Sequence, residues 1–254
     1  LSSSVVLSAL EFDVLWESER LPLRHVAIDV PSPGITHTER AELVRTALAD
    51  LERRGLADRG RAVPELADRL SLLAHAQVSV DAWVWTDREI KALAVVSGDQ
   101  AGLAVVDSDQ VWLIPARKTG LAEAAVSIAG DAPAGPGRSV SLPREVLADA
   151  DRRAGGEPQN LVTPLQRAGL PLYEAQSVAL MFSGIGVRGQ FGVERVVRDQ
   201  RRQRVDRVVA FHDTAQGRYV HVAKTNNDGQ VWSTIAPADN ARLAAAVWDL
   251  LDDA

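Results

Sequence analysis

Cysteine is absent from all 254 residues. That removes disulfides, thiolate zinc sites, iron–sulfur clusters and cysteine nucleophiles together. A basic excess is missing too. Twenty-eight Lys and Arg stand against 34 Asp and Glu, for a formal net charge of -6, so a general affinity for nucleic acid or anionic membrane is not expected. No apolar run approaches the roughly 18 residues needed to span a bilayer. Residues 1–19 carry no basic flank and reach Glu11 and Asp13 too early for a secretory signal. These absences predict a cytoplasmic protein with no membrane insertion.

Motifs that would carry chemistry are equally scarce. No serine sits in a G-x-S-x-G elbow, and no Walker loop is present. His25, His37, His75, His212 and His221 include no pair three or four residues apart on a helix, so helical metal spacing is lacking. Paired acids such as Asp107 with Asp109, or Asp252 with Asp253, fall in turns or at the end of the sequence, where solvation accounts for them. Gly184, Gly186 and Gly189 satisfy G-x-G-x-x-G. A dinucleotide loop must open a helix, whereas Phe191, Val193, Arg195 and Val197 alternate as a strand. No cofactor and no metal are expected.

What is present is ordinary globular composition, 46% hydrophobic and 24% charged, in a chain long enough to bury a core. A short strand at 5–7 leads to Ser8, which caps a helix through Phe12, Leu15 and Trp16. Residues 25–30 alternate as a strand closed by Pro31 and Pro33. Thr36 and Glu39 form a capping box before a helix carrying Ala41, Val44, Leu48 and Leu51, which Gly55 closes. Pro64 opens another helix, with Leu66, Leu70 and Leu73. Strands at 77–86, 90–96, 103–106 and 111–114 then read as an antiparallel meander, followed by a helix through Leu121, Ala125 and Ile128.

After a Pro- and Gly-rich stretch at 131–138 the order begins again. A strand at 139–142 precedes helices opened by Pro143 and Pro164. Strands follow near 191–197, 205–212, 219–223 and 231–235, and Asp239 caps a last helix bearing Leu243, Val247, Leu250 and Leu251. Local matches support the repeat. Leu48-Ala49-Asp50-Leu51-Glu52-Arg53-Arg54 is echoed by Leu147-Ala148-Asp149-Ala150-Asp151-Arg152-Arg153, and Gln110-Val111-Trp112 by Gln230-Val231-Trp232. The fold class is therefore α+β. Two pseudo-twofold-related halves, each helices plus a four-strand antiparallel meander, form a central sheet with a helical bundle. The first half covers 1–130, the linker 131–138 and the second half 139–254, in one compact domain overall. Such a sheet suits a large partner better than an enclosed small one.

Three constellations remain. Arg195, Arg198, Arg201, Arg202, Arg204 and Arg207 surround a turn between two strands. A solvated hairpin guarding a sheet edge, a docking contact for an acidic protein, and a nucleic-acid-binding regulator are the readings of that cluster. The stretch 199–207 has no aromatic residue for base stacking, and Asp199 and Asp206 dilute its charge. His212, Asp213 and His221 could meet across adjacent strands as an acid–base group of a hydrolase-type enzyme, or simply dress a sheet. Trp83 and Trp85 share one strand face and read as core.

The second half resembles the EspG family of secretion-associated proteins from actinobacterial ESX systems. The stretches are Gly189-Gln190-Phe191-Gly192-Val193, then Val208-Val209-Ala210-Phe211-His212-Asp213-Thr214, Gly217-Arg218-Tyr219, Asp228-Gly229, Trp232 and Pro237-Ala238-Asp239. Glu11-Phe12-Asp13-Val14-Leu15-Trp16-Glu17, Pro31-Ser32-Pro33-Gly34 and Glu39-Arg40 resemble the family's first half. The resemblance implies no enzyme but a cytoplasmic chaperone of type VII secretion, binding helical PE–PPE heterodimers or WXG-like hairpins and keeping them soluble for export. Gly189, Phe191, Gly192, Asp213, Gly217, Tyr219 and Trp232 are expected to keep the fold, with Phe191, Tyr219 and Trp232 in a core. Arg198, Arg201, Arg202, Arg204, Arg207, Arg218 and His221 are the expected partner contacts. The connection at 86–88 is very short where the family carries a longer client-recognising loop.

Overall fold

In the computed structural model, residues 3–197 and 201–254 are described. They divide into two compact units. Residues 3–83, 88–128, 194–197 and 201–203 form unit 1; residues 84–87, 129–193 and 204–254 form unit 2.

Unit 1 opens with β1 (Val5–Ser8) and α1 (Ala9–Ser18). Ser8 Oγ accepts from Glu11 N at 3.1 Å while Glu11 Oε2 accepts from Ser8 N at 2.7 Å, a complete capping box that the sequence reading credited only to Ser8. Next come α2 (His37–Arg53), a small hairpin of β2 (Ala57–Asp58) and β3 (Arg61–Ala62), and α3 (Pro64–Ala74). Thr36 and Glu39 make the second capping box, and Pro64 stands at the first turn of α3, where its missing N–H costs nothing. The meander is β4 (Val78–Trp85), β5 (Glu89–Ser97), β6 (Gln100–Asp107) and β7 (Gln110–Pro115), followed by α4 (Leu121–Val126).

The strands lie in the order β1-β7-β6-β5-β4, with β1 against β7, β7 against β6 and β6 against β5 antiparallel. Leu7, Leu93, Val95, Ala104, Val111 and Leu113 pack with Phe12, Leu15, Leu51, Leu66 and Leu70 in one buried cluster. Each such large side chain contributes about 1.5–3 kcal/mol on burial.

Unit 2 repeats the scheme: β8 (Val140–Pro143), α5 (Arg144–Ala154), α6 (Val162–Arg167), α7 (Leu172–Met181), β9 (Arg188–Val196), β10 (Arg202–Arg204), β11 (Val209–Thr214), β12 (Gly217–Thr225), β13 (Val231–Pro237) and α8 (Asn240–Asp252). The ends of β9 and β10 facing residues 197 and 201 belong to unit 1. The strand order β9-β11-β12-β13-β8 is antiparallel throughout. In both units, then, the first strand pairs with the last strand of its own meander. One sheet face, carrying Val140, Leu142, Tyr219 and Ile235, is covered by Ala150, Ala154, Leu161, Leu165, Ala175 and Val178 from the α5–α7 region.

Several local expectations are corrected. Residues 25–30 do not form a strand: Val26–Ile28 is a 3-10 turn, because His25 Nδ1 accepts from Ala27 N at 3.1 Å and caps it. Helix α6 starts before Pro164, which falls within its first turn. The strand expected at 205–212 starts only at Val209. The whole of α7 went unread. Within 131–138, Gly135 N donates to Arg218 O at 3.0 Å, and Pro133 O accepts from Arg218 N at 2.8 Å. The glycine triplet does lead into a strand, β9.

Candidate partner interface

The family-like stretch Gly217-Arg218-Tyr219 begins at the β11–β12 turn, and its centre is a buried arginine. Arg218 is 0% exposed. Its Nε and Nη2 donate to Asp213 Oδ1 and Oδ2 at 2.7 and 2.8 Å, Nη2 also to Ala129 O at 2.7 Å, and Nη1 to Gly130 O at 3.1 Å and to Asn240 Oδ1. The guanidinium carbon Cζ lies 4.7 Å from the Phe211 ring centre. A fully desolvated cation demands this degree of pairing. Arg218 is therefore not a partner contact, as the sequence reading had it; it ties β12 to the start of α8 and to residues 129–130.

Gly217 must be glycine here. Its φ is +131°, and a Cβ would sit 2.6 Å from Gly135 N and 2.7 Å from Pro133 O. Tyr219, fully buried, donates to Pro136 O at 3.1 Å and lies so close to Gly135 that no Cβ fits there. Gly189 and Gly192 are buried in β9, and Phe191 stacks on Phe211 at 5.7 Å. Trp232 departs from expectation. It is only half-buried, its Nε1 donating to Gln230 Oε1, because its register opposite Lys224 places it one pair from the β12–β13 turn. Its counterpart Trp112 on β7 is exposed as well. Trp83 and Trp85 are likewise half-buried, beneath Lys91 and Arg188 respectively.

Unit 1 has a comparable fastening. Asp13, nearly buried, accepts from Arg24 at 2.7 Å, Arg40 at 2.7 Å and Ser32 at 2.9 Å, while Arg40 Nη1 donates to Pro33 O at 3.2 Å. Glu11 takes both oxygens to Arg54 Nη1 at 3.0 Å. The family-like residues of the first half thus clamp α1 to the loop before α2.

The remaining arginines scatter in role. Arg198 lies outside the described residues. Arg201 and Arg204 are exposed on or beside β10. Arg202 spans Glu194 at 3.4 Å and Ala74 O at 3.1 Å with its side chain still accessible. Arg207 folds back to Asp253 and is half-buried, which removes it from the exposed set. At the short 86–88 turn, Arg88 is held by Asp107 at 2.6 and 2.8 Å.

The acid–base reading of His212, Asp213 and His221 fails on geometry. Alternation along β11 sends Asp213 to Arg218 on one face and His212 to the other, where Nε2 meets Met181 O at 2.7 Å between the Phe182 and Tyr219 rings. Burial pushes the His212 imidazolium below its ordinary pKa, against the Met181 carbonyl and the Asp213 charge. His221 is half-buried under the α5–α7 helices and lowered by burial first, then by the positive charges of His212 and Arg144. It lies against a cavity rather than on an open face. Among the described residues no group of three or more His, Asp or Glu is arranged to hold a metal.

An apolar surface was missed. Helix α7 presents Leu172, Tyr173 and Leu180 to solvent, Tyr173 at 66% exposure. These positions fall within about 100° of the helix circumference at 100° per residue. Surface apolar residues that cluster mark contacts with other proteins. The helix lacks a side-chain cap, and Pro171 before it gives the same opening signal that Pro143 gives α5, which the sequence reading passed over.

Helices over an antiparallel sheet, with buried ion pairs fastening each unit and an uncovered apolar helix face, define a mixed α/β protein whose charged signature residues serve the fold. The model of the EspG family matches residues 8–249, and the chain belongs to that family. Its fold is similar to that of the Mycobacterium tuberculosis type VII secretion system chaperone EspG5, solved in complex with a PE25–PPE41 dimer. The TM-score is 0.78 at 15% identity, over 98% of this chain and 96% of that one. No curated protein sequence matches.

Proposed function

We propose that this protein is a cytoplasmic chaperone that binds a helical type VII secretion substrate, a PE–PPE heterodimer or a WXG-like hairpin, and carries out no chemistry of its own. Family membership over residues 8–249 carries the reading, and the likeness to EspG5 in its complex supports it. No helix among the described residues is long and apolar enough to cross a membrane, which accords with a soluble role.

The apolar part of the contact falls to the α7 face of Leu172, Tyr173 and Leu180, a strip suited to the apolar flank of a helical client. Arg201, Arg202 and Arg204 supply the electrostatic part, acting on association rate more than on final affinity. Size-exclusion chromatography with helical heterodimers encoded beside this gene tests the proposal. Co-elution at micromolar concentration is the expected result, and Tyr173→Asp with Leu180→Asp abolishes it. Separate elution of every folded candidate removes the proposal.

A further inference from the structure

Unit 2 carries a cavity of about 420 Å³, open to solvent on one side, between α5, the turn after it, the segment following α7 and the sheet. Leu147, Ala154, Leu161, Phe182 and Ile185 make its walls apolar. Two residues from the sheet break that pattern. His221 of β12 and Ser233 of β13 line it, and both point to the face that the helices cover, since His221 pairs with Ile235 and Ser233 with Ala223. Their Nε2 and Oγ atoms are buried without a hydrogen-bond partner, and Ser233 is 1% exposed. Two orphaned polar atoms on one wall of an apolar cavity are unusual, because a buried donor left unmade costs more than the bond returns when made. Predominantly apolar walls with a few convergent polar groups are the ordinary construction of a small-ligand site.

We propose that this cavity binds a small carboxylic acid with an apolar tail. The two carboxylate oxygens accept from His221 Nε2–H and Ser233 Oγ–H, and the tail lies against Leu147, Leu161 and Phe182. The kind of head follows from the two orphaned atoms. His212, on the same sheet face as His221, is kept neutral near pH 7 by its burial. Arg144, Asp151 and Glu157 also line the cavity, but all three are exposed and screened by water. The buried wall therefore offers two donors and no charge, and a carboxylate accepts from both, whereas an ammonium head has no lone pair to accept from either. The lowered pKa of His221 keeps its ring neutral near pH 7, so Nε2 can carry the single proton that the ligand needs.

Octanoate, octanol and octylamine are the probes, titrated calorimetrically into the full chain at pH 7. Octanoate is expected to bind one to one. Octanol should bind at least about tenfold more weakly, having one neutral oxygen in place of two charged acceptors. NMR titration of the His221 ring should show its pKa rising when octanoate is bound. His221→Phe and Ser233→Ala should each lose about tenfold in octanoate affinity while melting no lower than the parent, since each removes an unpaired polar atom. Should either fold poorly, Ala148→Trp settles the matter. Ala148 is exposed on α5 and lines the cavity, so an indole there closes the mouth without touching the core. Absence of binding at millimolar octanoate, equal binding of octanol, or unchanged binding to Ala148→Trp overturns the site.

Discussion

Arg218 and the arginines of β10 share a side chain and almost nothing else. Arg218 is wholly buried with every guanidinium nitrogen engaged, whereas Arg201, Arg202 and Arg204 stand exposed. A charge taken out of water must be paired to be tolerated, and removing one partner exposes the cost of the other. A charge left in water contributes little to stability and retains its long-range field. The difference separates a residue that holds this fold from residues whose charge a partner can reach.

The comparison breaks most visibly at Arg218. Arg218→Met leaves Asp213 half-buried and unpaired, and chemical denaturation should show a loss of about 3–5 kcal/mol. Adding Asp213→Asn should recover part of it, which a double-mutant cycle resolves. Next comes Gly217→Ala, where the positive φ and the nearby Gly135 and Pro133 backbone atoms leave no room. A loss of more than about 1 kcal/mol is expected, seen as a lowered melting temperature.

A pH series sharpens the picture from another side. Burial lowers both His212 and His221 below the ordinary value of 6.5. Below 6.5 the unfolded chain binds protons that the folded one refuses, so their stability contribution is full above that pH and is lost as pH falls toward the folded values. Each histidine changes stability by at most about 1.4 kcal/mol per pH unit. Melting temperature should fall on acidification below pH 6.5, and His221→Phe should make that fall shallower. The smallest effect on stability belongs to the exposed set. Replacing Arg201, Arg202 and Arg204 with serine should cost less than about 0.5 kcal/mol each. Stopped-flow association with a client should nevertheless slow and lose much of its salt dependence.

Where local signals were complete, the sequence was readable. Thr36 with Glu39, Pro64, and Asp239 each sit at the helix start they announce, and Asp239 Oδ1 caps α8 through Arg242 N. The paired meanders were visible because alternation and the Gln-Val-Trp echo agreed. Helix α7 was hidden by its exposed apolar residues, which blur the amphipathic stripe that periodicity detects. His25 misled because a side-chain cap imposed a turn on an alternating pattern. At the site, Arg218 read as a partner contact. Its burial depends on Asp213, Asn240 and the carbonyls of Ala129 and Gly130, which only the tertiary fold assembles. Trp232 read as core because its aromatic bulk gives no hint that it stands at the turn end of its hairpin.

The central claim is that this chain binds a helical secretion substrate through surfaces distinct from its buried ion pairs. Titrating a purified, folded PE–PPE-type or WXG-like client into the protein by isothermal calorimetry tests it most directly. The account predicts saturable binding at micromolar or lower concentration that Tyr173→Asp with Leu180→Asp eliminates without lowering the melting temperature. Binding that survives that variant unchanged, or no heat with any folded client, would contradict it.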